Sequence, residues 1–535
     1  MLGVVICKGG SCMKLNYKRT ILVGFAFFLI TAFWQAYDAT IPVILTNKFG
    51  MSQTWSGVIM ALDNILALFM LPLFGALSDK CRAKTGKRTP FITIGTIVAA
   101  VALLGLSFID NAQLKNISQV ANIDDPAALE VIYDSQYDAK LQTPDGDQYV
   151  LGELYTKEEF AQIRTNDVIE VTDNGGKTMQ ISPYTNYVVP ARQAYVAQAT
   201  SQNAMPLVLF VVVLLVILVA MSIFRSPAVA LMPDVTIKPL RSQGNAVINL
   251  MGTAGGILVL VLGIVFATSS VKNQMMNYNV YYFVIAALML VSLLIFRLTV
   301  KEPKWAEQMQ QDSVRLGIEE EEETVDGEKR GLSAGEKRSL IFILASIALW
   351  YFGYNAVTSK YAVYAGNILN MDYNTTLLLA QGAAIVAYLP AGMVAAKVGR
   401  KKTIMAGVVM LTAAFAIASF MRAGSSALLM NGLFALAGIG WATINVNSFP
   451  MVVELCSGSD IGKYTGYYYT ASMAAQIATP MLSGFFMDMD GVGMTVLFPY
   501  AAIFAGLALV TMTLVKHGDT KPEVKKGLEG LSVDD

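Results

Sequence analysis

The 535 residues contain one histidine, His517, near the carboxy terminus. That scarcity argues against a histidine-based metal centre or proton relay within the body of the chain. Cysteine is nearly as rare: Cys7, Cys12, Cys81 and Cys456 show no metal-ligand spacing. All four fall in the amino-terminal tail or in loops assigned below to the cytoplasm, so reduced thiols are expected. Charged residues make up only 15% of the chain and the formal net charge is +0. No overall excess of charge is left to attract nucleic acid.

Apolar sequence fills the space. Hydrophobic residues reach 55% and the mean hydropathy is +0.51, both unusual for a soluble chain. Twelve apolar runs lie near 19–45, 54–77, 90–109, 205–231, 245–269, 279–299, 339–362, 373–396, 403–421, 425–450, 464–488 and 494–515. Most have the ~20 residues needed to cross a bilayer. No small-residue cleavage site follows the first run, so it reads as a retained span. Residues 1–12 precede a second methionine, Met13, and are expected to be dispensable.

Placing both termini in the cytoplasm puts 29 of the 39 Lys and Arg on that side. The short outer loops and outer span ends then hold only Lys48, Lys272, Lys360 and Arg422. This is the asymmetry of the positive-inside rule, and it orients the chain. Lys360 reads as an interfacial anchor. The polar stretch 110–204 would lie outside, and long loops cross largely regardless of charge. Its local signals predict a small α+β domain. Asp125-Pro126 can start a helix, Thr156-Lys-Glu-Glu159 is a capping box, and Asp173-Asn-Gly-Gly176 separates two short β-like runs. No catalytic set is visible in it, and a solvated spacer is the plainer reading.

One loop carries more information than any other segment. Gly75-Ala-Leu-Ser-Asp79-Lys-Cys-Arg-Ala-Lys-Thr-Gly86-Lys-Arg88-Thr-Pro90 has a weaker echo 317 residues later, in Gly392-Met-Val-Ala-Ala-Lys397-Val-Gly399-Arg400. A second pair, Arg241-Ser-Gln-Gly244 and Lys463-Tyr-Thr-Gly466, is offset by 222. The two offsets differ by 95, the length of 110–204. Two related halves, one carrying an insertion, account for both. The expected architecture is an all-α membrane protein of twelve helices in two six-helix halves, with a small extracytoplasmic α+β insertion between helices 3 and 4. The parts are a tail (1–18), a first half (19–299, with 110–204 inserted), a central loop (300–338, containing Glu319–Glu323), a second half (339–515) and a tail (516–535). Halves of this kind hold substrate between them near mid-membrane.

The first loop resembles the signature loop of the major facilitator superfamily. Leu231-Met-Pro-Asp234-Val-Thr-Ile-Lys-Pro-Leu-Arg241-Ser-Gln-Gly-Asn245-Ala-Val-Ile-Asn249 resembles the glycoside-pentoside-hexuronide:cation symporters, the sucrose-transporter-like branch in particular. Ala36-Tyr-Asp38-Ala-Thr-Ile-Pro42 is similar to that branch as well. The resemblance implies a gating set of Gly75, Asp79, Gly86, Arg88, Asp234 and Arg241, with Asp79 and Arg88 interlocking helices in the outward-facing state. The chain departs from the melibiose permeases of the wider group, where two carboxylates sit one turn apart late in span 2. Ala67 and Leu71 occupy those positions here, which disfavours sodium and favours protons. The second loop has Ala396 where the first has Asp79, so gating should rest mainly on the first half.

Among the acids, only Asp38 and Asp63 lie well inside a span, roughly 10–15 Å from its outer end at ~1.5 Å per residue. A carboxylate there must be protonated, paired or facing a wet cavity. We take Asp38 first and Asp63 second as proton sites, with helix–helix hydrogen bonding as the plainer reading of each. Arg225 either pairs with such a carboxylate or snorkels to the inner interface beside Asp79. Sugar recognition needs amides or acids for hydroxyls and flat aromatic faces for the ring. The resemblance implies that helices 1, 4, 7 and 10 line the cavity. On them, Trp34 and Asp38, Tyr351 and Asn355, and Trp441 and Asn445 each share a face at i, i+4. Asn64 and Gln381 add amides within spans. These residues form the candidate substrate set.

The expected function is secondary active transport in the cell membrane, with proton-coupled symport of a sugar or glycoside by alternating access. Export of another small solute by proton antiport stays open, as does a transporter-like sensor using 110–204. We expect no enzyme activity, cofactor, metal or nucleic acid, and a monomer embedded in the lipid bilayer whose partners are substrate and protons.

Overall fold

A computed structural model describes residues 6–8, 11–13, 15–172, 178–237, 240–315, 333–453, 455 and 461–517. The Glu319–Glu323 run, Cys456 and the Asp173–Gly176 turn lie outside these residues. The first half comprises α1 (Tyr17–Val43), α2 (Gln53–Asp79), α3 (Thr89–Asn116), α8 (Met205–Asp234), α9 (Arg241–Val265) and α10 (Asn279–Thr299). The second comprises α12 (Ala334–Tyr364), α13 (Tyr373–Val398), α14 (Arg400–Ala418), α15 (Ala427–Val453), α16 (Ile461–Met487) and α17 (Leu497–Thr513). A short helix, α11 (Glu302–Arg315), follows the first half. An amino-terminal hairpin pairs β1 (Ile6–Lys8) with β2 (Ser11–Met13).

Local chemistry sets the helix ends. The Asn16 side chain accepts from the Arg19 N–H at 3.1 Å and caps α1; the Ser52 hydroxyl does the same for α2. Pro90 sits in the first turn of α3, where a missing N–H loses no bond. Among the described residues, ten helical segments are long and apolar enough to cross a membrane. Helices α13 and α16, with 26 and 27 residues, match the others in length.

The halves repeat one packing scheme. In the first, α1 packs on α9 and α10, and α8 on α2 and α3; in the second, α12 packs on α16 and α17, and α15 on α13 and α14. Both α1 and α12 run on into a five-residue π turn, Ile44–Lys48 and Ala365–Leu369. Each half has its own apolar cluster, centred on residues such as Phe33 and Phe224 in the first and Trp350 and Phe498 in the second. Contact between halves is made by α2 with α16, α9 with α13, and α1 with α12.

The insertion is an α+β unit with its own core, built on Ile132, Phe160, Tyr184 and Val196. It contains α4 (Pro126–Gln136), β3 (Lys140–Gln142), β4 (Gln148–Val150), α5 (Leu151–Leu154), α6 (Lys157–Ala161), β5 (Ile169–Thr172), β6 (Thr178–Ile181) and α7 (Val189–Gln202). Asp125 caps α4, and the capping box between Thr156 and Glu159 is formed. Strands β5 and β6 pair antiparallel as their sequence predicted. The β3–β4 hairpin was not anticipated, although Pro144-Asp145-Gly146 between its strands is a turn signal.

Three expectations need correction. Helix α3 continues seven residues past the predicted end of span 3, because Asp110 and Gln113 find buried partners. Asp110 pairs with Lys48 at 2.7 Å, both side chains fully buried, and Gln113 Nε2 donates to the Lys48 carbonyl at 2.7 Å. Lys48 is therefore no loop residue; its ammonium also donates to the Met276 carbonyl at 2.7 Å. Lys360 is no interfacial anchor. Helix α12 and its π turn continue beyond it to Leu369, so the side chain stays buried and Nζ donates to the Gln53 carbonyl at 2.5 Å.

Candidate functional site

The face carrying the insertion is where the halves close on each other. At the start of α2, the Gln53 and Thr54 N–H groups donate to the Asp488 carboxylate, from the end of α16, at 2.9 and 2.6 Å. This is an N-cap supplied by the other half. Added methyl groups at Gly57 and Gly484 would collide with the backbones of Pro480 and Gln53, so glycine is what lets α2 and α16 touch. Beside this seam the two π turns meet, where Asn47 and Asn367 exchange side-chain hydrogen bonds at 2.8 and 3.2 Å. Helices α9 and α13 close in the same manner, with Asn374 donating to Thr268 at 3.0 Å.

Beneath the seam lie adjoining cavities. One, of about 370 Å³, is lined by Trp34, Asp38, Asp63, Asn64, Arg225 and Asn355, with Thr358, Ser359 and Gln476. All three candidate coupling residues therefore face one space. Asp38 is exposed to it. Asp63 accepts from Asn64 Nδ2 at 2.9 Å and lies within electrostatic range of Arg225. Arg225 lines the same wall as the two carboxylates. Among the described residues, the buried Trp34 Nε1 and Asn355 Nδ2 find no acceptor.

A second cavity, of about 330 Å³, shares Thr31, Asp38 and Thr358 with the first and adds Gln35, Tyr354, Gln381, Tyr388 and Trp441. Gln381 donates to Gln35 across the halves at 2.5 Å. Trp441 lies flat on Tyr354, centroids 3.6 Å apart and planes 4° from parallel. A third, of about 260 Å³, holds Asn445 with Tyr388, Asn249 and Thr253. The i, i+4 pairs are thus divided. Asn355 faces the carboxylates, whereas Tyr351 packs its ring against the edge of Trp441 at 5.2 Å and lines none of these cavities. Tyr354, Tyr388, Gln35 and Thr31 were missed. Tyr354 lies three residues from Tyr351 and carries the same aromatic signal, but helix phase alone did not select it.

At the opposite face, the signature loop forms a charge network inside the first half. Arg88 pairs with Asp79 and Ser78, and its Nε donates to Asp234 at 2.8 Å. Burial works against the Arg88 charge, but Asp234 and Asp79 more than offset it and hold its pKa above the ordinary arginine value. Lys87 adds a 3.3 Å contact to Asp234. Glu302, at the start of α11, was not anticipated. Its carboxylate accepts from the Arg88 and Thr89 N–H groups at 2.8 Å each, capping α3. Gly86, at φ +115°, lies against that carboxylate, where a side chain would be both strained and in collision. Gly75 accepts from Arg88. Arg241 Nε donates to the Thr236 carbonyl at 3.3 Å and closes the α8–α9 turn.

Two packed repeats enclose the cavity, and the sequence of the repeats matches a known family. The family model described as Major Facilitator Superfamily matches residues 194–387 and 377–532. The chain belongs to that superfamily. Residues 22–112 match a second model, MFS/sugar transport protein. Sucrose transport protein SUC3 of Arabidopsis thaliana is 36% identical over 106 residues, 20% of this chain and 17% of that protein. Proton-associated sugar transporter A of Homo sapiens is 32% identical over 105 residues, 19% and 13% of the respective chains. These alignments cover well under two thirds of the relatives' length. The fold matches the inward-open xylose transporter XylE from E. coli, with TM-score 0.55, 15% identity, and 96% and 99% of the two chains covered. It also matches a peptide transporter, POT, with TM-score 0.56, 11% identity and 93% of each chain covered. The protein is a multi-pass membrane protein of that superfamily.

Proposed function

We propose that this chain is a proton-coupled symporter for a sugar or glycoside, working by alternating access. Twelve helices cross the cell membrane as two six-helix halves, 19–299 and 339–515, with both termini cytoplasmic and the insertion outside. The loop 300–338 and the tails 1–18 and 516–535 then lie inside, and the carrier is a monomer. The observation that carries the reading is the composition of the cavity between the halves. Two carboxylates, one arginine, an indole and an amide share one wall, and an adjoining wall presents a stacked Trp–Tyr pair.

Each part has a role. Hydroxyl groups of a sugar take hydrogen bonds from Trp34, Asn64 and Asn355, while Trp441, Gln381 and Asn445 flank the remainder of the ligand. Asp38 carries the proton, and Asp63 is held by Asn64 and Arg225 as its counterpart. With the insertion face closed, the cavity exchanges with the side of the signature loop. The matched relatives, named for sucrose and sugar transport, support this substrate class.

Uptake of labelled disaccharides into proteoliposomes under an inward proton gradient tests the reading. Accumulation above the ungradiented control is expected for at least one sugar. No accumulation of any sugar across a broad panel would overturn it, and binding without flux would identify a sensor instead.

A further inference from the structure

The insertion is built onto one half and docked onto the other. Its attachment to the first half is continuous core: Val271 and Met275, between α9 and α10, belong to its apolar cluster. Gln113 on α3 donates to Thr200 on α7 at 3.0 Å, and Gln193 on α7 donates to Asn47 at 3.1 Å. Gly50, at φ +64°, abuts the backbone of Ala197 with no room for a side chain. Lys272 pairs with Asp124 at 3.3 Å.

Its contact with the second half is of another kind: a polar turn seated in a loop, with residues 184–188 also resting on the π turn Ala365–Leu369. In the turn between β3 and β4, Asp145 accepts from Arg422 and from the Thr495 hydroxyl, each at 3.0 Å. The Thr495 N–H donates to the Pro144 carbonyl at 3.0 Å, and the Gly491 N–H to the Gly146 carbonyl at 3.1 Å. Gln142 Nε2 reaches the Met489 carbonyl at 2.9 Å. Gly146, at φ +97°, and Gly493, at φ +72°, allow the two backbones to interlock. The receiving segment, 489–495, begins next to Asp488, which caps α2 of the first half. Asn370 adds a bond to the Thr165 carbonyl at 2.8 Å.

We propose that the insertion is a strap that holds the insertion face shut, and that its 143–147 turn must leave the 489–495 loop before that face can open. The proposal rests on the alternating-access reading. A unit fused to one half cannot keep bonds to the other while the halves separate at that face. The strap therefore biases the carrier toward the state closed on the insertion side, and anything that frees the turn favours the opposite state.

Nitroxide labels at Gln202→Cys and Ala427→Cys, exposed positions on α7 and α15, report the separation of the halves in proteoliposomes once the native cysteines are replaced by serine. Asp145→Ala is expected to raise the long-distance population roughly five- to tenfold, the loss of about two polar contacts. The exchange Asp145→Arg with Arg422→Asp should return part of the closed population, which separates a broken strap from a misfolded insertion. Asp488→Ala, which opens the α2 cap directly, is the control. If Asp488→Ala lengthens the distance and Asp145→Ala does not, the strap is wrong and the rocking motion stands. If neither variant, nor added sugar, changes the distance, the rocking reading fails and the strap with it.

Discussion

On the signature-loop face, charges pair inside one half; on the insertion face, hydrogen bonds pass from one half to the other. Arg88, Asp79, Asp234 and Glu302 join α2, α3, α8 and α11, and all belong to the first half or its extension. Asp488 with Gln53, Lys360 with Gln53, Asn47 with Asn367 and Gln381 with Gln35 each join opposite halves. A network closed within a rigid body stabilises that body in every state of a cycle. A network that crosses the seam stabilises only the state in which the seam is shut. The first should govern unfolding, and the second should govern conformational balance.

Three substitutions or conditions probe that contrast. The largest effect is expected at the crossing seam, from Gly57→Leu. The added side chain meets the Pro480 backbone, so the insertion face cannot close, and proton-driven uptake should fall to the leak of empty liposomes while the melting temperature changes little. A variant that transports would show that α2 and α16 need not touch. Next is Arg88→Ala, which removes the bonds to Asp79 and Ser78, leaves Asp234 with Lys87 alone, and should lower stability by about 1–2 kcal/mol. Thermal unfolding in detergent measures it, and a melting curve like that of the parent would contradict the rigid-body role. The smallest effect lies in the insertion. Burial raises the Tyr155 pKa to about 12, with Tyr187 and Glu159 adding to it, and burial raises Tyr149 as well. A raised folded-state value means that stability present below the unfolded tyrosine pKa, near 10, is lost as pH rises toward 12. Tyrosinate absorbance should therefore appear late and together with loss of the insertion's structure, while the helical signal of the spans persists. Ordinary titration of these tyrosines would contradict their burial.

Much of the frame was legible because a bilayer imposes a simple rule. Apolar length marks a span, and apart from the extended α3 the observed helices fall within a few residues of the apolar runs, 279–299 coinciding with α10. The 95-residue mismatch between the two echoes located the insertion, and Thr156 and Asp125 announced its helix starts. What failed did so for a shared reason: polar groups near a span end look like loop residues until their partners are known. Lys48 and Lys360 both read as outer charges, and both are buried because Asp110 and the Gln53 carbonyl, 62 and 307 residues away, replace water. Glu302 was invisible on the same ground, as a cap for a helix 213 residues earlier. In the candidate site, Asp38, Asp63, Trp34, Asn64 and Asn355 could be named because polar residues are rare in spans. Tyr351 and Tyr354 could not be ranked, since which ring faces the cavity depends on helix rotation and not on residue type.

In the proposed cycle, a protonatable group in the cavity between the halves drives accumulation. Asp38→Asn keeps the side chain's shape and removes its proton chemistry, so it is the most direct test. In proteoliposomes carrying an inward proton gradient and a transported sugar, this variant should equilibrate at most and not accumulate. Accumulation against a sugar gradient by Asp38→Asn would contradict it.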